Sequence, residues 1–204
     1  MPRLPEPAAI ILAGGRSRRF GADKLLATFE LDGRVMPLLA HTLVPWLRVF
    51  DRLTVVLQPG SENLLQVVAT VLPDALGRIA WVATPSAERG MGASLAAGVA
   101  TRLDAGGWLI GLADMPLLPS TVIRQVRQAI IEGAMLTAPF CREQRGHPVG
   151  FAVCYGQQLL ALDGDQGARS LIERDLHQLT RIETNDRGVL MDIDTQTDLL
   201  LLKT

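Results

Sequence analysis

A continuous apolar run, AAIILA at residues 8–13, places the strongest constraint on the fold, because it stops abruptly at two glycines. An unbroken run of this length is typical of a strand that is covered on both faces. Strands of this kind belong to parallel sheets with helices packed on either side. The run therefore predicts a strand buried within such a sheet.

Short apolar runs alternate with segments of helical period along the rest of the chain. Strands are predicted at 8–13, 52–58, 78–84, 108–114, 134–140 and 148–154, with late strands in TRIETN and VLMDID. Helices are predicted at 37–50, 61–72, 90–105 and 119–133, with shorter ones in GQQLLALD, at 167–176 and in TQTDLLLLK. Pro45 should kink or divide the first helix, and Ser61 is placed to cap the second. This alternation predicts a three-layer α/β fold with a mostly parallel sheet.

Length and composition favour a single domain over residues 1–204, with residues 1–7 as a loose N-terminus. The chain is 48% hydrophobic, which is enough for a sizeable core. Its 20 basic and 21 acidic residues give a net charge of −1, so neither nucleic acid nor a membrane is expected as a partner. Cys141 and Cys154 predict no zinc site and no disulfide framework. No signal peptide or membrane span is predicted, and a cytoplasmic location is expected.

The loops that carry reactive or charged residues follow the predicted strands. GGRSRRFGADK follows the first strand, ERGMGAS the third, DMP the fourth and CREQRGHP the fifth. Right-handed crossovers place such loops along one edge of the sheet, where open α/β sheets bind their ligands. The sequence therefore predicts an active site along this edge.

The first loop has the composition of an anion cradle. Gly14 and Gly15 permit close backbone approach, and exposed N–H groups in such a loop can hold phosphate oxygens. Arg19 and Lys24 would add positive charge. The loop matches neither the Walker A pattern nor G-x-G-x-x-G. A plain glycine turn beside a solvated basic face is the alternative.

Carboxylates at later strand ends supply the parts of a metal site. Asp114 closes an apolar strand, and Mg²⁺ prefers one or two carboxylates together with phosphate oxygens and water. Asp192 and Asp194 alternate in a predicted strand and would point to the same face. One of them could complete the site with Asp114 while the other caps the last helix. A phosphate loop with two carboxylate segments suits metal-assisted nucleotidyl chemistry, although each Asp alone could simply cap a turn.

Two further loops offer candidates with plain alternatives. Gly92 and Ser94 lie near the N-terminus of a predicted helix, where they could bind an anion or the base and ribose of a nucleotide. An ordinary helix cap is the alternative. His147 lies in a loop and could hydrogen-bond a substrate or be polar surface. No Ser-His-Asp or Cys-His triad is suggested.

LAGGRSRRFGADK resembles the signature L-A-[GA]-G-x-S-x-R-x-G-x-x-K of the MobA-like nucleotidyltransferases that finish the molybdenum cofactor. GMGASLAAGV, ADMP, RGHPVGF, GDQGARSL and DIDTQTDL follow in the order found in the molybdenum cofactor cytidylyltransferase branch. The resemblance extends from Ala8 to Leu202. It implies a Rossmann-like domain that uses Mg²⁺ to transfer a nucleoside monophosphate from an NTP to the phosphate of molybdopterin, with release of pyrophosphate.

The resemblance also implies roles for individual residues. The residues that would hold the base and the nucleotide backbone are Leu12, Ala13, Gly14 and Gly15. Arg19 and Lys24 would hold the triphosphate. Asp114 would bind Mg²⁺, with Asp194 as the better candidate for the second ligand. Gly92 and Ser94 would border the nucleotide, and His147 the acceptor.

The motifs disagree about the base. The later motifs favour CTP, whereas Gly14-Gly15 resembles the guanylyltransferase branch and therefore GTP, because cytidylyltransferases of this group usually carry Ala-Gly. Isoprenoid-pathway cytidylyltransferases begin with a similar loop, but their usual Lys-Gln is absent because Leu25 follows Lys24. A cytidylylated cofactor would imply a molybdoenzyme partner of the xanthine dehydrogenase type. A nucleotide-binding protein that delivers cofactor without catalysis is the alternative from another class.

Overall fold

The computed structural model describes residues 5–14, 20 and 23–201. Its strands are β1 (Ala8–Leu12), β2 (Thr28–Leu31), β3 (Arg34–Pro37), β4 (Leu53–Leu57), β5 (Ile79–Ala83), β6 (Gly107–Leu112), β7 (Leu136–Cys141), β8 (Gln144–Arg145), β9 (Val149–Ala152) and β10 (Leu179–Glu183). Its α-helices are α1 (Leu38–Leu47), α2 (Glu62–Val71), α3 (Met91–Ala100), α4 (Ser120–Ile131), α5 (Gly156–Leu160), α6 (Arg169–Arg174) and α7 (Gln196–Leu201). None of the helices within these residues combines the length and the apolar character needed to cross a membrane.

The main sheet has the order β10-β7-β9-β6-β1-β4-β5, with β8 paired to β7. Parallel pairs join β1 to β4 and β6, β4 to β5, and β7 to β10. β9 runs antiparallel between β6 and β7. The predicted mostly parallel sheet is therefore confirmed. Because β9 is reversed, its amino end lies at the edge where β1, β4 and β6 have their carboxyl ends.

β1 is buried on both faces, as the apolar run predicts. Ala9 and Ile11 pack into a core that includes side chains from α1, α2 and α4. Ile10 and Leu12 pack into a second core with side chains from α3, α5 and α6. Alternate residues of β1 thus pack against helices on opposite faces of the sheet. The sheet between two helix layers gives the three-layer α/β arrangement.

The hairpin β2–β3 was not predicted from the sequence. Its strands are only four residues each, and they pair antiparallel around Asp32 and Gly33. These two residues have φ angles of 51° and 73°. Positive φ at both central positions is the requirement of a type I′ hairpin turn, for which Asp-Gly is a favoured pair.

The structure corrects several predicted details. Residues 191–194 are not a strand, because Ile193 donates its N–H to the carbonyl of Asp114 at 2.9 Å instead of joining a sheet. Pro45 lies inside α1 without dividing it. The side chain of Ser61 makes no capping hydrogen bond to α2.

Glu6, within the segment expected to be a loose terminus, is bound to the rest of the protein. Its carbonyl accepts a hydrogen bond from the N–H of Gly106 at 3.2 Å. Its carboxylate forms an ion pair with Arg127 on α4. These contacts hold the entry to β1 against neighbouring elements.

Candidate active site

A cavity of about 560 Å³ opens at the carboxyl ends of β1, β4 and β6. Leu12 and Gly14 line it from the end of β1, Gln58 from the end of β4 and Asp114 from the segment after β6. Asp194 joins them from the C-terminal part of the chain. The cavity therefore forms at the edge that the loop positions predicted.

Lys24 is the centre of a charged cluster in this cavity. Its ammonium group donates hydrogen bonds to Asp114 Oδ2 at 2.7 Å, to Asp194 Oδ1 at 3.0 Å and to the carbonyl of Ile193 at 2.8 Å. Only 8% of Lys24 is exposed. Burial alone would lower the pKa of Lys24, but its hydrogen bonds to both carboxylates and their charges raise the pKa above its ordinary value. Lys24 is therefore a cation that holds the two carboxylates together.

The side chains of Asp114, Asp192 and Asp194 form a cluster of carboxylate oxygens. One oxygen from each lies within 4.8 Å of the others. Asp114 Oδ1 is buried and has no hydrogen-bond partner among the described residues. Burial, and then the charges of Asp114 and Asp194, raise the pKa of Asp192. An oxygen-only set with an unpartnered buried lone pair suits a hard divalent cation.

Thr195 and Asp198 form a reciprocal cap at the start of α7. The N–H groups of Asp194 and Thr195 donate to the carboxylate of Asp198 at 2.9 and 2.7 Å. The N–H of Asp198 donates in return to Thr195 Oγ1 at 3.3 Å. This is the arrangement of a capping box. The expectation that Asp192 or Asp194 caps the last helix is therefore wrong, and Thr195 and Asp198 do so instead.

Gly14 has little free space around its Cα. Its carbonyl accepts a hydrogen bond from the side-chain amide of Gln58. A Cβ atom at this position would lie 3.0 Å from Ser94 Oγ and 3.4 Å from the Cβ of Ala87. The Ser94 hydroxyl already donates to the carbonyl of Gly90 at 3.0 Å. Any side chain at residue 14 would consequently press on the cavity wall at Ser94.

Gly90 and Gly92 allow the start of α3 to pack closely against the loop before α6. Gly90 has a φ of 125°, which favours glycine. The N–H of Gly92 donates to the carbonyl of Gly164 at 2.7 Å, and a Cβ on Gly92 would lie 2.6 Å from the carbonyl oxygen of Asp163. The Gly92 N–H is therefore already used and does not offer the anion contact that the sequence suggested.

His147 lines a second cavity of about 640 Å³. Its backbone N–H donates to the carbonyl of Val189 at 2.9 Å, and its Nδ1 is buried without a hydrogen-bond partner in the described part of the chain. Burial, and then the charge of Arg145, lower the pKa of His147 to about 4, although Asp114 and a backbone hydrogen bond of Ile110 oppose this. The imidazole is therefore neutral at pH 7, and Nδ1 is the ring nitrogen without a hydrogen-bond partner in the described part of the chain.

The lowered pKa of His147 predicts that acid destabilises the fold. The unfolded chain takes up a proton on His147 near pH 6.5, whereas the folded chain does so only near pH 4. The unfolded state binds more protons between these values, so the free energy of unfolding falls with falling pH, by up to about 3 kcal/mol. Urea titrations across this range should show a smaller pH-dependent loss for His147→Gln than for the wild type. Equal losses in the two proteins would contradict the prediction.

The structure brings together most, but not all, of the predicted site residues. Those that line the first cavity are Leu12, Gly14, Lys24, Ser94, Asp114 and Asp194. Ala13 is buried behind its wall, with its N–H bound to the carbonyl of Val56. His147 lines the second cavity. Gly15 and Arg19 lie outside the described residues.

Several residues that line the first cavity were not predicted. Gln58 directly follows β4, so its place at the carboxyl end of a parallel strand was the available signal. Arg89 and Asp165 also line the cavity, and Arg89 forms an ion pair with Asp163 at 3.1 Å. This pair joins the loop before α3 to the loop before α6, a contact between residues far apart in sequence that periodicity does not reveal.

Comparison with known proteins gives matches in both sequence and structure. The family described as the MobA-like NTP transferase domain matches residues 9–180. A stretch of 60 residues is 40% identical to the probable molybdenum cofactor guanylyltransferase of Pyrococcus horikoshii. That stretch covers 28% of this chain and 29% of the relative's length, so the chain matches less than a third of that protein.

The fold is also found in solved structures. The crystal structure of Rv0371c from Mycobacterium tuberculosis H37Rv has a TM-score of 0.82 at 25% identity, covering 98% of this chain and 97% of that one. The 4-diphosphocytidyl-2C-methyl-D-erythritol synthase of Anaerococcus prevotii DSM 20548 has a TM-score of 0.71 at 15% identity, covering 97% and 94%. The second likeness is one of fold alone.

Proposed function

We infer that this chain, which belongs to the family of MobA-like NTP transferase domains and is a nucleotidyltransferase, transfers CMP from CTP to the phosphate of molybdopterin and releases pyrophosphate. The observation that carries this proposal is the cluster of Lys24, Asp114 and Asp194 in a cavity lined by Gly14. A cation and paired carboxylates in one cavity are what binding of a metal-bound triphosphate requires.

The nucleotide would lie along the first cavity. Leu12, Ala13, Gly14 and Gly15 would hold its base and backbone, and Ser94 would border it. Gly92 would contribute indirectly, by allowing the loop at 163–165 to approach α3. Arg19 and Lys24 would bind the triphosphate, and His147 would face the acceptor from the second cavity.

Asp114 and Asp194 are the residues that would hold Mg²⁺. The unpartnered lone pair on Asp114 Oδ1 supports this assignment, and so does the spacing of the carboxylate oxygens. Asp194 is favoured as the second ligand over Asp192, because Lys24 already holds it beside Asp114. A bound Mg²⁺ would supply charge neutralisation between the reacting phosphate groups.

The protein's own side chains would stabilise negative charge during the reaction. The acceptor phosphate is already an anion, so no strong general base is needed, and the main obstacle is repulsion between anions. Lys24 and Arg19 would stabilise the negative charge that accumulates on the departing pyrophosphate. In this role Lys24 would exchange part of its contact with the carboxylates for contact with phosphate oxygens.

GTP is the second candidate nucleotide, because residue 14 is glycine and the matched Pyrococcus relative is named a guanylyltransferase. The contacts around Gly14 suggest a direct test. In Gly14→Ala the added methyl group would lie against Ser94 and Ala87 and leave less room for a purine. We expect the ratio of kcat/KM for CTP to that for GTP to rise by about tenfold, the effect of one methyl group in a fitted pocket.

Gly77→Ala is the matched control for this substitution. A Cβ at Gly77 would meet nothing within 4 Å, so the same change of residue type should leave the CTP/GTP ratio unaltered. An unchanged ratio in Gly14→Ala would remove residue 14 from base selection.

A pyrophosphate-release assay tests the proposed reaction. The purified protein is given Mg²⁺, molybdopterin and each of the four NTPs in turn. We expect release with CTP that depends on molybdopterin and on Mg²⁺. Release with GTP alone would replace the cytidylyltransferase assignment with a guanylyltransferase one. Nucleotide binding without release from any NTP would favour a cofactor-delivery protein.

A cytidylylated product would pass to a molybdoenzyme of the xanthine dehydrogenase type. This part of the proposal rests on the sequence resemblance. A pull-down with product-loaded protein would test it, because a nucleotide-specific transfer should retain such an enzyme only when CTP and molybdopterin have both been supplied.

A further inference from the structure

The second cavity adjoins the first and opens onto the same edge of the sheet. Both are lined by Leu12, Met91, Leu112 and Asp165. A molecule in the second cavity would therefore lie directly beside a nucleotide in the first. At about 640 Å³ the second cavity is also large enough for a small-molecule ligand, for which sites of roughly 300–1,000 Å³ are usual.

The second cavity has an apolar floor and a charged rim. Side chains of Ile110, Val149, Phe151 and Ile172 form the floor. The first three lie on one face of the antiparallel pair of β6 and β9, where Ile110 is directly opposite Val149. A floor of this kind suits a planar ring system.

Arg145 is an exposed residue at this rim. It lies on β8, and in the described part of the chain its guanidinium group forms no hydrogen bond or ion pair. Arg169, also on the rim, pairs with Glu173 at 2.7 Å. Desolvation against the cavity wall and the charge of Arg169 lower the pKa of Arg145, although Glu173 opposes this.

A guanidinium group in this position is a ready anion site. It forms no ion pair within the described residues, the charge of Arg169 acts on it, and it offers a fork of donors that matches phosphate. The rim also carries the carboxylates of Asp165 and Glu173, and Glu173 is paired with Arg169. Among the described residues of the rim, Arg145 is therefore the cation that an anionic ligand could pair with, while the floor is complementary to an apolar or aromatic group.

We propose that Arg145 binds the phosphate of the acceptor, whose ring system lies on the apolar floor of the second cavity. This inference rests on the proposed function and adds a substrate-binding residue to it. From this position an acceptor phosphate oxygen forms a bond to the α-phosphorus of the NTP. The bond between that phosphorus and the bridging oxygen breaks, and its electron pair leaves with pyrophosphate.

Kinetics of Arg145 variants test the proposal. In Arg145→Gln we expect the KM for molybdopterin to rise by about tenfold or more, as loss of a charge-assisted hydrogen bond predicts, with the KM for CTP unchanged. Arg145→Lys should recover part of the loss, because it restores the charge without the fork. Arg142→Gln is the matched control, since Arg142 lies in the same β7–β8 turn but does not line the cavity.

Two kinetic outcomes would overturn the assignment. A rise in the KM for CTP instead of molybdopterin would place Arg145 in the triphosphate site. An equal rise in the KM for molybdopterin in Arg142→Gln would mean that Arg145 acts only through the general positive charge of this surface.

Equilibrium binding separates failure of this inference from failure of the proposed function. 6-Hydroxymethylpterin and its phosphate monoester, which differ only in the phosphate, are titrated into the whole protein without nucleotide. The wild type should prefer the phosphate monoester, and Arg145→Gln should lose that preference. If this result is found without turnover from any NTP, the subsite stands and the reaction is wrong. If turnover occurs and Arg145→Gln keeps the preference, the reaction stands and the subsite is wrong.

Discussion

Asp114→Asn should lower metal-dependent pyrophosphate release by about 10³-fold, because a catalytic metal ion contributes several kcal/mol and each 1.36 kcal/mol is a factor of ten. The substitution keeps the size of the side chain. It removes the charge that Lys24 contacts at 2.7 Å and weakens the buried oxygen as a metal ligand. Initial rates over a series of Mg²⁺ concentrations would measure the loss.

Asp104→Asn is the control for this prediction. Asp104 is exposed, forms an ion pair with Arg102 and lines neither cavity. Its variant should keep the wild-type rate, and circular dichroism should show Asp114→Asn to be folded. A folded Asp114→Asn protein with near-normal turnover would exclude Asp114 as the metal ligand.

Lys24→Met should have the second largest effect. It should weaken use of the NTP and strengthen binding of a metal ion. The kcat/KM for the NTP should fall by about 10²-fold, because charge-assisted hydrogen bonds to phosphate contribute about 1.5–3 kcal/mol. Binding of Mn²⁺ in the absence of nucleotide should become tighter, because the ammonium group no longer lies between Asp114 and Asp194. Steady-state kinetics and calorimetric titration measure the two parts separately.

Arg52→Met provides the comparison for Lys24→Met. Arg52 is exposed and directly precedes β4, so it lies at the opposite edge of the sheet from the site. It should change neither nucleotide kinetics nor metal binding. Unaltered NTP kinetics in Lys24→Met would leave Lys24 a structural partner of the carboxylates and nothing more.

The central part of the fold follows from the sequence, because β1 and its neighbours are apolar enough to be recognised without context. The β2–β3 hairpin does not, since strands of four residues carry too little periodicity, although the Asp32-Gly33 pair was a usable turn signal. The reversal of β9 was also beyond prediction. Strand direction depends on pairing with β6 and β7, which local pattern does not encode.

The sequence predicted which side chains form the site better than it predicted how they contact one another. The loops after parallel strands had to meet at one edge, which placed Gly14 and Asp114 together. The contact between Lys24 and Asp194 joins residues 170 positions apart, so no local rule could supply it. Asp194 reaches the site through a segment tied to Asp114, and the strand invoked for it is absent.

The reversed strand β9 has a consequence for how substrate preference can diverge in such a protein. His147 and Arg145 precede β9 in a compact stretch of β7, β8 and β9, whereas Gly14, Lys24 and Asp114 belong to β1, β6 and the segments that follow them. The part of the second cavity's wall that this stretch supplies can thus change without altering Gly14, Lys24 or Asp114. The rest of that wall comes from β6 and α6 or is shared with the first cavity, so preference for one substrate can diverge in part, but not entirely, without changes on the nucleotide side.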